Sequence, residues 1–407
     1  MTTRRDLLII AGGATLLAGC RDESPRAQGR AVPVPDVVVA ETRQGLVVLG
    51  GPHPRGLGRE AVTSADGRLA GVLTRDGAGR PALLRLDPAA DALGEPLPLA
   101  AGWLPRVLAA DGGCCALTRE EAAIRPAARD RTRLLVVSGS GHREYELSGV
   151  IEPDAFSRDT TGLFVLEWLP AGAPEHYRVR RLELSTGRLQ PLLTRAKVPV
   201  PAGAEEEMRG DGRQAALSPD RQVLYTLYTH QPGHRHTRDL LAGRASGAHA
   251  FVHVLHLAEG WAYCLDLPDP FGAGPGEGHA LAVSADGQTL AIADATSGAV
   301  AYAGTAALTI DRVVTVPAGP GVASLAFAPG APRLLLGAGR TVTVLRPDAT
   351  VEARWAVPAA VRGLGLSGDA SRVYAGGAEE VIWLDAATGA LRGRTPVAGL
   401  TAVRHVR

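Results

Sequence analysis

Asparagine is absent from all 407 residues, lysine occurs once, at Lys197, and aromatic residues make up only 4%. Without asparagine the chain has no acceptor for an N-linked glycan. The cations are almost all arginine, which is the mark of GC-rich coding rather than of guanidinium forks selected for phosphate or carboxylate. Neither charge is in excess: 43 Lys and Arg stand against 42 Asp and Glu. Electrostatic capture of nucleic acid, or of an anionic membrane surface, is therefore excluded as the working principle. Cysteine is scarce. Beyond Cys20 there are the adjacent Cys114 and Cys115 and the single Cys264, so no even-numbered disulfide framework exists. Neighbours on a strand face opposite ways and free cysteine packs well in a core, so all three are expected in packing roles.

Catalytic signatures are missing too. No Gly-x-Ser-x-Gly elbow appears, and the segment 138–142 is an ordinary glycine-rich turn with a histidine beside it. The glycine clusters 272–278 and 319–321 lack a following Lys-Ser/Thr and precede strands, which disfavours nucleotide binding.

The N-terminus holds an address. Arg4 and Arg5 precede an apolar stretch of about a dozen residues, too short for the roughly 20 needed to span a bilayer as a helix. It closes on Leu17-Ala18-Gly19-Cys20. The first element resembles a twin-arginine export signal and the second resembles the lipobox of bacterial lipoproteins. That resemblance implies cleavage after residue 19, acylation of Cys20 and a place on the outer face of the cytoplasmic membrane. Residues 1–19 are read as signal and 20–35, with three prolines, as lipidated cysteine and flexible tether.

From residue 36 to 407 one pattern recurs: a short apolar strand, a Ser-x-Asp-Gly-like turn, a second apolar strand, an alternating third and a weaker fourth. Units run over 61–99, 106–149, 154–193, 213–268, 278–316, 322–357 and 362–397. The period, mostly about 38–50 residues, matches four-stranded propeller blades. Residues 399–404 read as a first strand without a hairpin partner, and 36–41 and 45–49 as second and third strands without a first. Joined, they close an eighth blade and hide the open edges. The fold expected is all-β, a single β-propeller of eight blades, with seven as the alternative. The fourth strand of the closing blade has to come from residues 52–59. The Ser-x-Asp turns at Ser64, Ser218 and Ser284, and the Asp-x-x-Thr-Gly corner at residues 385–389, resemble YVTN-type and WD-type propellers, a likeness specific for fold and silent on activity.

Charge and imidazole concentrate on one rim. Its long loops are 204–213 and 270–279, leading into the fourth and fifth units, and 229–239 inside the fourth. Seven of the eleven histidines fall between His230 and His279. His234 and His236 present two imidazoles together, with Glu205, Glu206, Glu207, Asp239 or His279 as source of a further donor, a set suited to zinc or another borderline divalent ion. The alternatives are a solvated polar loop or a partner-recognition loop. His253 and His256 lie an odd number apart on one strand, face opposite sides and cannot chelate as a pair. Arg209, Arg213, His279 and Arg362 begin or lead into channel strands. With Glu206 nearby, they are candidate ligand-binding residues for a carboxylate, phosphate or acidic sugar. The five tryptophans are expected to pack blades.

The function expected is a lipid-anchored extracytoplasmic binding or scaffold module. It meets the membrane through its lipid and a protein or small molecule on the loop-rich face, with no cofactor required. The alternative is a propeller enzyme of hydrolase, lyase or redox type with a metal or small-molecule site over the channel.

Overall fold

The computed structural model describes residues 33–407 apart from 52, 91–92, 140, 211–212, 245–248 and 331–332. Arg4, Arg5 and Cys20 lie outside the described residues.

The described residues form eight four-stranded antiparallel sheets. Blade 3 shows the plan: Val150–Phe156, Gly162–Leu169, His176–Glu183 and Arg188–Pro191 lie side by side in chain order. Blade 4 repeats it with Gln214–Leu217, Val223–Tyr228, Phe251–His256 and Ala262–Asp266. First strands of successive blades neighbour one another along the ring, so they form its inner wall. The sequence dictates this locally. In five blades the serine of a Ser-x-Asp turn donates its hydroxyl proton to the aspartate two residues on, at 2.5–2.6 Å. The same serine oxygen accepts the first N–H of the second strand at 2.9–3.0 Å. One short side chain thus caps both ends of a tight hairpin.

The closing blade is assembled from both ends of the chain, in the order Arg55–Gly58, Gly45–Leu49, Val38–Thr42, Leu400–Val406. Eight blades, not seven, are present. The missing fourth strand comes from the irregular segment where it was expected, and Val34 is already buried in this blade's core, two residues inside the segment assigned to the tether. Asp36 fastens the seam: its carboxylate takes two hydrogen bonds from Arg372, at 2.6 and 3.0 Å, and one from the Tyr374 hydroxyl at 2.6 Å. Gly363 stands against the C-terminal strand with φ of 100°, where a Cβ would meet the Val403 carbonyl oxygen at 2.4 Å, so only glycine lets the strands approach.

Packing is between blades. Cys114 and Cys115 are free and buried and point into two different inter-blade clusters, as strand alternation requires. Trp103, Trp168, Trp355 and Trp383 are buried in such clusters. Among the described residues the only α-helix is α1 (Thr237–Ala242), and no helix is long and apolar enough to cross a membrane.

A candidate metal centre between blades 3 and 4

Two insertions meet at the rim above the junction of these blades. The loop leading into blade 4 is pinned to blade 3, where Met208 and Tyr177 exchange both backbone hydrogen bonds at 2.8 Å. The insertion between the second and third strands of blade 4 turns at Gln231-Pro232-Gly233-His234. Proline and then glycine at φ 73° give a type II turn, closed by the His234 N–H on the Gln231 carbonyl at 3.2 Å. Gln231 also staples the two insertions together. Its amide donates to the Arg209 carbonyl at 2.9 Å and its side-chain oxygen accepts the Arg209 N–H at 2.8 Å. Two residues beyond the turn, His236 precedes α1, which stops at Gly243 in the left-handed region.

This framework brings Glu206, His234, His236 and Cys264 together, with one ligand atom from each inside 4.8 Å of all the others. The His234 Nε2 and His236 Nδ1 atoms are 3.1 Å apart. Glu206 Oε2 lies 3.7 Å from the first and 3.6 Å from the second, and the Cys264 thiol donates to it at 2.8 Å. Around a four-coordinate zinc with bonds of about 2.0–2.3 Å, ligand atoms stand roughly 3.3–3.8 Å apart. The cluster needs small adjustment to reach that spacing.

The outer nitrogens of both histidines are engaged as metal-binding imidazoles require. His234 Nδ1 donates to the Glu207 carbonyl at 3.1 Å, which leaves the Nε2 lone pair facing the cluster. His236 Nε2 lies 2.5 Å from Asp266 Oδ1. A carbonyl behind one imidazole and a carboxylate behind the other fix the rings and raise their basicity. Phe251 stacks on His234 at 4.3 Å and meets His236 edge-on at 5.1 Å. The second Glu206 oxygen accepts the Thr237 N–H at 2.8 Å.

The cluster's protons have defined places. Burial pushes the Glu206 carboxyl up, but the adjoining imidazoles of His234 and His236 outweigh it and hold the group well below the usual carboxylate range. Burial lowers His236, yet Asp266 and Glu206 raise it to about 9. Burial and the adjoining Glu206 keep Cys264 a thiol. A divalent ion would replace these protons with one charge of the right sign in the right place.

The other candidates go elsewhere. Glu205 pairs with Arg178 and Arg180, Glu207 with His176, and Asp239 with Arg244. His279 is a satisfied core histidine: Nδ1 donates to the Pro275 carbonyl, Nε2 accepts the Gly272 N–H, and burial lowers its pKa. Arg362 donates to the Leu400 carbonyl, and Arg209 is exposed. Arg213 is buried against Asp154 at 2.6 Å and Tyr228 at 3.3 Å. It lines the larger cavity, about 510 Å³ along the inner strands, where Arg404 is matched by Glu41 and Arg221 by Asp66. Arg213, Arg221 and Arg404 on this inner wall are thus each paired with a carboxylate. His234 and His236 are 5% and 1% exposed, so the solvated-loop alternative does not describe them. Cys264 was expected only to pack. It joins the cluster because the register of blade 4 sets it opposite His253 on the face that meets the rim loops.

No protein-family model and no curated protein sequence matches the chain. Among solved structures it is similar to apo AztD from Citrobacter koseri, with 10% identity over 91% of this chain and 97% of that one and a TM-score of 0.53. It is also similar to the dihydro-heme d1 dehydrogenase NirN in complex with DHE, with 12% identity over 93% and 76% and a TM-score of 0.51. Both likenesses are of fold: the chain is an eight-bladed β-propeller.

Proposed function

We propose that this chain is an exported, lipid-anchored metal-binding propeller that holds one zinc-class ion on Glu206, His234, His236 and Cys264. The observation that carries the reading is the pairing of four convergent donors with a dedicated acceptor behind each histidine. One carboxylate, two imidazoles and one thiolate suit a borderline ion such as Zn²⁺, whereas Mg²⁺ and Ca²⁺ take oxygen shells. Four protein donors complete a tetrahedron and leave no position open for a reacting water, which favours a binding role over hydrolysis. The ring supplies rigidity, and the two insertions supply the donors.

The test is elemental analysis of the chain from Arg21 onward, purified without an affinity tag and melted with and without chelator. One zinc per chain is expected, and its removal is expected to lower the melting temperature. At free zinc a hundred times the dissociation constant the ion stabilises by about 2.7 kcal/mol. A metal-free protein that melts identically with added zinc contradicts the reading. The export and anchoring proposal rests on the Arg4, Arg5 and Cys20 signature. Cys20→Ser is expected to move the protein from the membrane fraction to the soluble exported fraction, and unchanged fractionation would refute lipidation.

A further inference from the structure

Three of the four donors, Glu206, His236 and Cys264, also line a cavity of about 310 Å³ between blades 3 and 4. Its walls are largely apolar, formed by Val179, Leu192, Val200, Met208 and Ala262. Its mouth is edged by the exposed Ala196 and by Leu241 of α1, one of the most exposed large apolar side chains. A metal site built solely to brace the fold has no need of a chamber that opens onto its donors.

A further imidazole faces the cavity. His253 is 4% exposed, stands directly across the strand pair from Cys264 and so shares its face, and lines the same chamber. Its ring meets Tyr228 edge-on, with centroids 6.4 Å apart.

We infer that the cavity is an exchange port, in which His253 serves as a transient extra ligand while the ion passes between the four-donor set and a small thiol-bearing acceptor. This rests on the zinc reading above. The step is a ligand substitution without oxidation. The acceptor's first sulfur bonds to the ion as the bond to Cys264 breaks, and that thiol's proton moves to the Cys264 sulfur; its second sulfur displaces Glu206 and the imidazoles, and the second thiol proton moves to His236. The Cys264 thiol then donates to Glu206. Apolar walls favour such an exchange, because a neutral thiol enters them more readily than a hydrated, charged chelator.

The experiment loads the mature chain with zinc and mixes it with increasing 2,3-dimercaptopropanol, following zinc–thiolate absorbance, with EDTA in parallel. The transfer rate is expected to rise in proportion to dithiol and to exceed that with EDTA. Ala196→Trp, at the exposed mouth, is expected to slow transfer about tenfold or more while the chain still carries one zinc. His253→Gln is expected to slow it by a comparable factor, about 1.4 kcal/mol of barrier per tenfold. A rate independent of dithiol and equal in both variants would mean that the ion leaves unaided, and would overturn the port. Wild-type protein that takes up no zinc would remove the metal site and the port together. Bound zinc with unaltered exchange would remove the port alone.

Discussion

Alanine at Cys264 is expected to lower zinc affinity by about a hundredfold or more, because the thiolate is the softest donor of the set and its loss leaves an oxygen and two nitrogens around the ion. His234→Ala and His236→Ala are expected to match it. Asp266→Asn is expected to cost less, about tenfold or somewhat more, since Asp266 touches His236 and not the ion's position. His256→Ala serves as the control. It ends the neighbouring strand of blade 4 and lies tilted against Trp261 with ring centroids 5.0 Å apart, outside the cluster, and the variant's affinity is expected to equal the wild type's. Competition against a chromogenic chelator measures all five. A Cys264→Ala protein that binds zinc as tightly as the wild type would show that the thiol is only a packing group.

Asp154→Ala is expected to cost about 3–5 kcal/mol of stability, read as a lower urea midpoint with unchanged slope. The side chains of Arg213 and Asp154 are 9% and 7% exposed. Burial alone would lower the arginine's pKa, but the Asp154 charge outweighs it and holds the group protonated. Removing the carboxylate strands a buried guanidinium, whose remaining side-chain hydrogen bond among the described residues is to the Tyr228 hydroxyl at 3.3 Å. Replacing both partners, as in Arg213→Met with Asp154→Leu, is expected to recover most of the loss, since the expense lies in the stranded charge. If Asp154→Ala were neutral and instead changed the binding of a small anion, Arg213 would return to the role of ligand residue suggested by its position on a channel strand.

The sequence and the structure agree most closely where the signal is local. A Ser-x-Asp turn writes its hydrogen bonds within five residues, so the blades and their order can be read along the chain. The closing blade was legible for a different reason: unpaired strands at the two ends have few places to go other than to each other. The weak element was Arg55–Gly58, a short, exposed strand with two glycines and no apolar alternation, detectable only because a four-stranded blade needs it.

The donor cluster was legible in half. His234 and His236 announce themselves by proximity, and Glu206 stood among five equal oxygen or nitrogen sources. What selects it is the Gln231 staple and the Thr237 N–H, both of which depend on how the two insertions pack. Cys264 gives no local sign, because its partners come from segments distant in the chain, and a buried cysteine on an apolar strand reads as core. The register that sets it opposite His253 is a property of blade 4 as a whole. The surroundings of the cationic residues were hidden for the same reason. Arg213 and Arg362 find their partners on other blades, where sequence neighbours such as Glu205–Glu207 give no guidance.

The central claim is that one ion is held by one sulfur, two imidazoles and one carboxylate. X-ray absorption at the zinc edge on the loaded, untagged chain reads that shell directly. The account requires one sulfur at about 2.3 Å with three nitrogen or oxygen neighbours at about 2.0–2.2 Å, and loss of the sulfur in Cys264→Ala. A shell of nitrogen and oxygen alone, identical in wild type and Cys264→Ala, would place the ion elsewhere and contradict it.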